Sequence, residues 1–486
     1  MQLDAKQFKR DRAAALENKP LRRNLERAMT TIRGRRNERF SQFVDGEALQ
    51  WIGHAIKRNA LANLPDLLEQ LEEQLTSRGI QVHWAETTGD ANRIVKDIAK
   101  RRGVGLVIKG KSMVSEEMEL NDYLAEHGIE ALEADLGEFI VQLAGEPPSH
   151  LVAPAVHLSR QEIAVLFHDE LGEEYTEDIQ AMTALARRVL REKFQQAGMG
   201  VTGVNFAVAE TGTIALVENE GNGRMCTTVP PVHVALMGIE KVIPRLDEMS
   251  PLIRSLTASA TGQPISTYFN WLSSPRRPGE KDGPEEVHLV ILDNGRSSIY
   301  ADEELRETLD CIRCGACLNI CPVYSRIGGH AYSTVYMGPI GKILTPQLAG
   351  LEKGGHLAGA STLCGACYEV CPVKIPIPDL LLRLRREGAQ PTPAGIATLK
   401  GAGAKASLGE AMVWKGWRVV HNRPALYKLM TRLLGFAGRT LPKRMGPLRE
   451  WSATRDLPKA ANRSLHHLLR DRSNAWEAGK IRSDSE

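Results

Sequence analysis

Seven of the eight cysteines in this sequence fall between positions 311 and 371, in a spacing that suits iron–sulfur chemistry. The first run, Cys311, Cys314, Cys317 and Cys321 followed by Pro322, reads C-x2-C-x2-C-x3-C-P, the bacterial ferredoxin pattern. The second, Cys364, Cys367 and Cys371 followed by Pro372, repeats it without its first member. Ser361 stands three residues before Cys364, where that cysteine would fall. Two-residue gaps in a curled loop let successive thiolates converge on one cubane. Gly315 and Gly365 leave room where the chain wraps inorganic sulfide, and each proline turns the chain away. In two-cluster ferredoxins the fourth cysteine of one run ligates the other cluster. That crossing predicts Cys311, Cys314, Cys317 and Cys371 around a first 4Fe–4S cluster, and Cys321, Cys364 and Cys367 around a second.

The second cluster is then one thiolate short. It is either a three-iron cluster or a four-iron cluster whose last iron is held by Ser361, water, a substrate oxygen or, more remotely, Cys226. Structural zinc is the competing reading of closely spaced cysteines. It needs four ligands per ion, and seven cysteines in ferredoxin spacing do not divide that way. Disulfides fit less well, since no secretory segment opens the chain and closely spaced thiols in a cytosolic protein read as metal or redox sites.

The elements that must position these thiols span a 486-residue chain, long enough for two or three domains. Its 42% hydrophobic content supports real cores. No stretch approaches the ~18 apolar residues of a membrane span. The net charge of +3 implies no general affinity for nucleic acid. It is unevenly spread: residues 401–486 hold 17 Lys and Arg against 7 Asp and Glu, so the tail carries +10 and the rest −7. Such a tail suits an acidic protein or a peripheral contact with a membrane surface.

Residues 1–80 read as helical and charged. Leu64, Leu67, Leu68, Leu71 and Leu75 recur at three- and four-residue intervals, an amphipathic helix that Asn63 could cap. Arg33, Arg35, Arg36 and Arg39 read as a solvated helix face. Residues 81–300 alternate short apolar runs with helical patterns, an α/β domain with a largely parallel sheet. Strands are expected at 82–84, 104–108, 129–134, 204–208, 213–217 and 288–292. Helices are expected at 90–100, 115–127 and 176–197, with an exposed loop over 269–286. No glycine-rich dinucleotide fingerprint occurs.

Lys109, Lys111 and Ser112 follow a predicted strand, where open sheets place ligands, and could hold a carboxylate or phosphate. A denser polar stretch runs from Glu218 to Arg224 beside Cys226. Glu218 and Glu220 are candidates for acid or base work there, and Arg224 for pairing with an anion. Between the cysteine runs, a glycine-rich insertion with His330, Tyr332, Tyr336 and Lys342 is expected to wrap the clusters or form a docking surface. His330 is expected to hydrogen-bond near a cluster rather than ligate it. A basic helix over 380–386, a linker over 389–405 and helices over 407–420 and 425–434 complete the chain. Trp414, Trp417, Trp451 and Trp476 suit an interface, a membrane surface or the packing of a small helical subdomain.

Several segments together resemble the lactate-utilisation iron–sulfur protein family, the B member of a three-protein L-lactate oxidation system. They are Lys111 to Glu117, the Asp135, Leu136, Gly137, Glu138 turn, Gly203 to Gly212, Asn219 to Arg224, and the cysteine runs joined by Gly328, Gly329 and His330. The resemblance spans essentially the whole chain. It implies a helical region over 1–80, then an α/β domain over 81–300 related to CoA-transferase and sugar-isomerase folds. An α-helical ferredoxin-type two-cluster domain over 301–388 and a basic helical C-terminal region over 389–486 would follow. It further implies a cytoplasmic protein working with a cysteine-rich partner and an α/β-domain partner to oxidise L-lactate to pyruvate. Three thiolates in the second run match the family pattern. The catalytic step is not located by either reading. A relay of electrons through both clusters, a purely assembling subunit, and an intrinsic dehydrogenase with substrate at an open iron all stand at this stage.

Overall fold

A computed structural model describes residues 3–389, 408–440, 461 and 465–477. Residues 1–404 form one compact unit and 405–486 a second. The first opens with four helices, α1 (Ala5–Glu17), α2 (Lys19–Ser41), α3 (Gly46–Ala62) and α4 (Leu64–Ser77). Helix α4 buries all five leucines of its stripe, as its periodicity requires. Asn63 precedes it without a capping side-chain bond. Gly34 sits inside α2 without breaking it.

Ten strands follow: β1 (Gln81–Ala85), β2 (Leu106–Lys109), β3 (Glu130–Glu133), β4 (Met199–Gly203), β5 (Phe206–Val208), β6 (Thr213–Glu218), β7 (Val232–Gly238), β8 (Val242–Ile243), β9 (Tyr268–Leu272) and β10 (Glu286–Leu292). Six form a parallel sheet in the order β1-β10-β7-β4-β2-β3, and four a smaller mixed sheet, β8-β5-β6-β9. In the parallel sheet Val234 lies opposite His288 and Val201, fixing β7 at the centre. Every β7 residue is buried, as a strand covered on both faces must be. The edge strands β1 and β3 are partly exposed.

Three expectations need correction. The segment 115–127 is two short helices, Met113–Glu117 and Leu120–Glu126, because Glu119 takes a left-handed φ of 51° that no α-helix tolerates. Strand β9 occupies the first part of the expected 269–286 loop. The strands expected at 204–208 and 213–217, observed as β5 and β6, belong to the second sheet, so the domain is not built on one sheet.

The cysteine-bearing segment is a set of short helices around Gly338–Ala349, whose residues from Gly338 to Gln347 are buried. One core contains Met29, Leu71, Val208, Leu252, Leu318 and Leu380, drawn from the N-terminal helices, the sheets and this segment. The second unit contributes helices Leu408–His421, Pro424–Thr440 and Leu465–Glu477. Trp414 and Trp417 are exposed there, 6.0 Å apart at their ring centroids. The expected linker and Trp451 lie outside the described residues.

Candidate iron–sulfur centres and an adjoining cavity

The thiols lie close enough to act on one another, each with its own neighbours. Cys371 faces Cys314 and Cys311, whereas Cys367 faces Cys321 and Cys364. Cys317 faces Cys311 and Cys314 first, then Cys367. Burial pushes the Cys314 and Cys367 thiols up, to about 12 and about 11, and raises those of Cys317 and Cys371. Clustered thiols this hard to ionise suit a metal centre, whose positive charge stabilises the thiolates. Backbone N–H groups already aim at sulfur. Arg313 N donates to Cys311 Sγ at 3.4 Å, Tyr324 N to Cys321 Sγ at 3.5 Å and Ile375 N to Cys371 Sγ at 3.4 Å. The buried Lys342 Nζ also lies 3.5 Å from Cys321 Sγ. The donor set therefore fits iron–sulfur clusters. Ser361, Cys321, Cys364 and Cys367 line one small hollow of about 20 Å³. Cys226 is not among these groups. It packs under β2 with Leu106 and Ile108, so it is removed from consideration as a ligand.

Arg36, expected on a solvated face, is buried; its Nη2 donates to the Val370 carbonyl at 3.0 Å, and it faces Cys314 and Cys371. A repeat of arginines hides which member turns inward, and only the partner segment, far along the chain, decides it. His330 lies away from sulfur. Its Nε2 donates to the Pro147 carbonyl at 2.7 Å. His330, His157 and Glu146 bring one ligand atom each within 4.8 Å of one another.

The first cysteine loop is clamped to the sheet by a buried ionic chain. Arg296 donates to Glu117 at 2.8 and 2.7 Å through its two terminal nitrogens and to Glu240 at 2.9 Å through Nε. Arg313, between the first two cysteines, donates to Glu240 at 3.1 Å. Tyr336 donates to Glu117 at 2.6 Å. Burial would raise the Glu240 carboxyl, but Arg296 and Arg313 hold it down at about 2. Gly238 is required beside this chain, because a Cβ there would collide with Glu240 Oε2 and Arg296 Nε. A second tie comes from His150. Its Nδ1 accepts from the N–H groups of Val152 and Ala153, leaving Nε2–H to donate to Asn319 at 2.9 Å. Burial lowers this imidazole to about 4, so it stays neutral.

Between the strand ends and this loop lies a cavity of about 300 Å³. Residues just beyond β2, β4 and β7 line it, including Lys111, Ser112, Asn205 and Lys241, and Arg313, Cys314 and Tyr336 close it from the cysteine segment. This is the carboxyl-end crevice where open α/β sheets bind ligands. Of the candidates past β2, Lys111 and Ser112 reach it. Lys109 instead bonds Glu133 at 2.5 Å and Asn121 at 2.6 Å. Burial would depress its ammonium, but Glu133 and Glu116 push it above its ordinary value.

Glu218 and Glu220 both line the cavity. Glu218 accepts from Gly223 N and Arg224 N at 2.6 Å and from Asn270 at 2.8 Å. Glu220 accepts from Leu136 N at 3.0 Å, and burial followed by Asp135 raises its carboxyl. Arg224 is exposed, with its guanidinium 5.9 Å from the Tyr268 ring centroid, and does not line the cavity. Sequence reasoning missed Lys241, Glu240, Arg296 and Arg313. The signal for the first two was available: Glu240 and Lys241 are charges at the end of the apolar run 232–239, as Lys111 is after β2.

An α/β domain joined to an iron–sulfur-binding region defines the class. The LUD domain family matches residues 68–292, the 4Fe-4S dicluster domain family residues 307–375, and the C-terminal family of lactate utilisation protein B residues 383–474. The chain is 40% identical over 471 residues to lactate utilization protein B of Bacillus licheniformis, covering 96% of each chain. It is 42% identical over 458 residues to an electron transport protein, YkgF, of Escherichia coli strain K12, covering 93% of each. The chain belongs to the LUD (lactate utilisation) family, with lactate utilisation protein B among its relatives.

Proposed function

We propose that the protein is the iron–sulfur electron-transfer subunit of a system that oxidises L-lactate to pyruvate. The observation that carries this reading is seven thiols gathered on two loops of ferredoxin spacing, with backbone N–H groups directed at the sulfurs of Cys311, Cys321 and Cys371. Cys311, Cys314, Cys317 and Cys371 hold a first 4Fe–4S cluster, and Cys321, Cys364 and Cys367 a second, which is either 4Fe–4S with three cysteine ligands or 3Fe–4S. Clusters held there would supply one-electron transfer, so the two electrons of the oxidation would be relayed in succession. The surrounding residues set the charge around the thiols: Arg36 and Arg313 act on the first loop, Lys342 on Cys321.

Membership of the lactate utilisation family supports association with other lactate-utilisation proteins, and the partners proposed are a cysteine-rich one and one sharing the α/β domain. The basic second unit, with exposed Trp414 and Trp417, suits a partner or a peripheral membrane contact. Among the described residues no helix is long and apolar enough to cross a membrane. With eight free cysteines, a reducing cytoplasm is the fitting compartment. The parallel sheet with its carboxyl-end crevice supports a relation to CoA-transferase and sugar-isomerase folds.

EPR with iron and acid-labile sulfide analysis on anaerobically prepared protein tests the reading. Two clusters reducible by lactate once the partners are added are expected. Zinc without sulfide would overturn it, and reduction by lactate without partners would make the chain an intrinsic dehydrogenase.

A further inference from the structure

The charges lining the cavity beside the first cysteine loop are unequally committed. Each carboxylate there has a structural partner. Glu240 pairs with Arg296 and Arg313, Glu218 and Glu220 accept backbone N–H groups, and Asp135 accepts from Glu138 N at 3.1 Å. The lysines are not so engaged. Lys241 is 7% exposed and lines the cavity, and among the described residues its Nζ has neither a hydrogen-bond acceptor nor an ion-pair partner. Lys111 Nζ is likewise buried without a hydrogen bond. Glu240 and Cys311 act on the Lys241 ammonium without bonding it, and a buried ammonium without a direct partner is costly unless the site receives an anion.

The uncharged wall supplies complementary donors. Asn205 uses its Oδ1 to accept from Val217 N at 2.8 Å, leaving its amide N–H groups for a ligand. Ser112 Oγ accepts from Ser115 N at 3.2 Å and keeps its hydroxyl proton to give. A lysine without a direct acceptor, adjoining neutral donors and a volume of about 300 Å³ describe a receptor for a small, singly charged polar acid rather than a nucleotide or a fatty acid.

We propose that this cavity binds the carboxylate of a small 2-hydroxy acid on Lys241, with Asn205 and Ser112 meeting its oxygens, directly against the loop that carries Cys311 and Cys314. The proposal rests on the electron-transfer reading above and adds a location to it: substrate or product sits on the side of the first thiol set, and the second set lies farther along the path.

Calorimetric titration of the anaerobically reconstituted full chain with L-lactate and with L-lactamide, its neutral isostere, tests the site. L-lactate is expected to bind with one-to-one stoichiometry, and L-lactamide about tenfold or more weaker, as loss of a charge-assisted hydrogen bond predicts. Lys241→Gln should weaken L-lactate by about tenfold to a hundredfold with unchanged iron and sulfide content. Lys241→Arg should recover part of the loss. In the same samples L-lactate should perturb the EPR signal of one cluster more than the other.

Wild-type protein that binds neither compound, or both equally, overturns the site without any variant being needed. So does Lys241→Gln protein that binds L-lactate normally while the potential of one cluster moves, since Lys241 would then serve only as a counter-charge to the thiolates. Binding is measured whatever the iron content. Absence of sulfide therefore counts against the electron-transfer reading, and absence of binding against the site.

Discussion

Arg313 and Gly315 in the first cysteine loop, with φ of 62° and 75°, find their counterparts in Leu363 and Gly365 of the second, with φ of 54° and 84°. The correspondence extends to hydrogen bonds. Arg313 N donates to Cys311 Sγ, and Leu363 N donates to Ser361 Oγ at 3.2 Å. The same backbone curl thus presents a thiol in one loop and a hydroxyl in the other. Their surroundings differ more than their backbones. The first loop is sealed against the strand ends through Arg313 and Glu240 and borders the cavity. The second leaves Cys364 exposed and is held by side chains that reach its carbonyls: Arg385 donates to Ala358 and Ser361 at 2.9 and 3.0 Å, Arg36 to Val370 at 3.0 Å, and Gln50 to Glu369 and Cys371 at 3.1 and 3.0 Å. A duplicated loop has been given an inner and an outer face, as an electron path from a buried site to a surface partner requires.

Removing one thiol from each loop should break the pair most severely. Cys314→Ala is expected to abolish the first cluster and Cys367→Ala the second, each read by iron content and EPR. Unchanged iron in both would refute the two-set assignment. Next in size is the clamp. Arg296→Met leaves Glu117 and Glu240 buried without their main partner, which typically costs about 3–5 kcal/mol. Arg385→Met, which removes two bonds to carbonyls on the outer loop, should cost about 1–3 kcal/mol. Denaturant unfolding of the two variants checks the order, and equal losses would mean that the inner loop is no more firmly held than the outer.

Lys342 sharpens the assignment of Cys321. Its ammonium lies within 3.5 Å of Cys321 Sγ and is buried. Lys342→Met should make the cluster that Cys321 serves harder to reduce, lowering its midpoint by on the order of 100 mV, the Coulomb energy of one charge about 6 Å away at an effective dielectric of about 20. In an EPR-monitored redox titration, crossed ligation requires the shift in the cluster that Cys367→Ala abolishes. A shift in the other cluster would place Cys321 with its own run.

These loops were legible because their ligands are local. Cysteines two residues apart, a glycine and a proline encode the curl within a dozen positions. The α4 stripe and the β10 run were legible for the same reason, their apolar period being contained in one segment. What escaped was set by distant pairing. Strands β7 and β4, neighbours at the centre of the sheet, were both overlooked, and the buried His233 of β7 is reconciled with burial only by its bond to Thr202 of β4, 2.9 Å away. Arg36, Glu240, Arg296 and Arg313 acquire their roles from partners tens to hundreds of residues away. Among the candidate catalytic groups the polarity of 218–224 was correctly noticed, but most of it serves the local turn. Glu218 holds the backbone of Gly223 and Arg224, a use that composition cannot separate from acid–base work.

The smallest change tests the closest point of the comparison. Ser361 is half-buried and replaces Cys311 in the repeated curl, so exchanging its hydroxyl should alter fold stability by no more than about 0.5 kcal/mol. Its effect should be confined to the second cluster. If the hydroxyl holds the fourth iron, Ser361→Ala should release that iron on oxidation and give the EPR signal of a three-iron centre. Ser361→Cys should supply the missing thiolate and bring the two clusters' spectra together. If water or a partner's group occupies the position instead, Ser361→Ala leaves the spectrum unchanged while Ser361→Cys still alters it, because the Leu363 N–H that steadies the serine oxygen matches the one that Arg313 directs at Cys311. Silence from both variants would mean that the backbone repeat does not extend to the metal, and that the outer loop was shaped for its surface rather than for a fourth ligand.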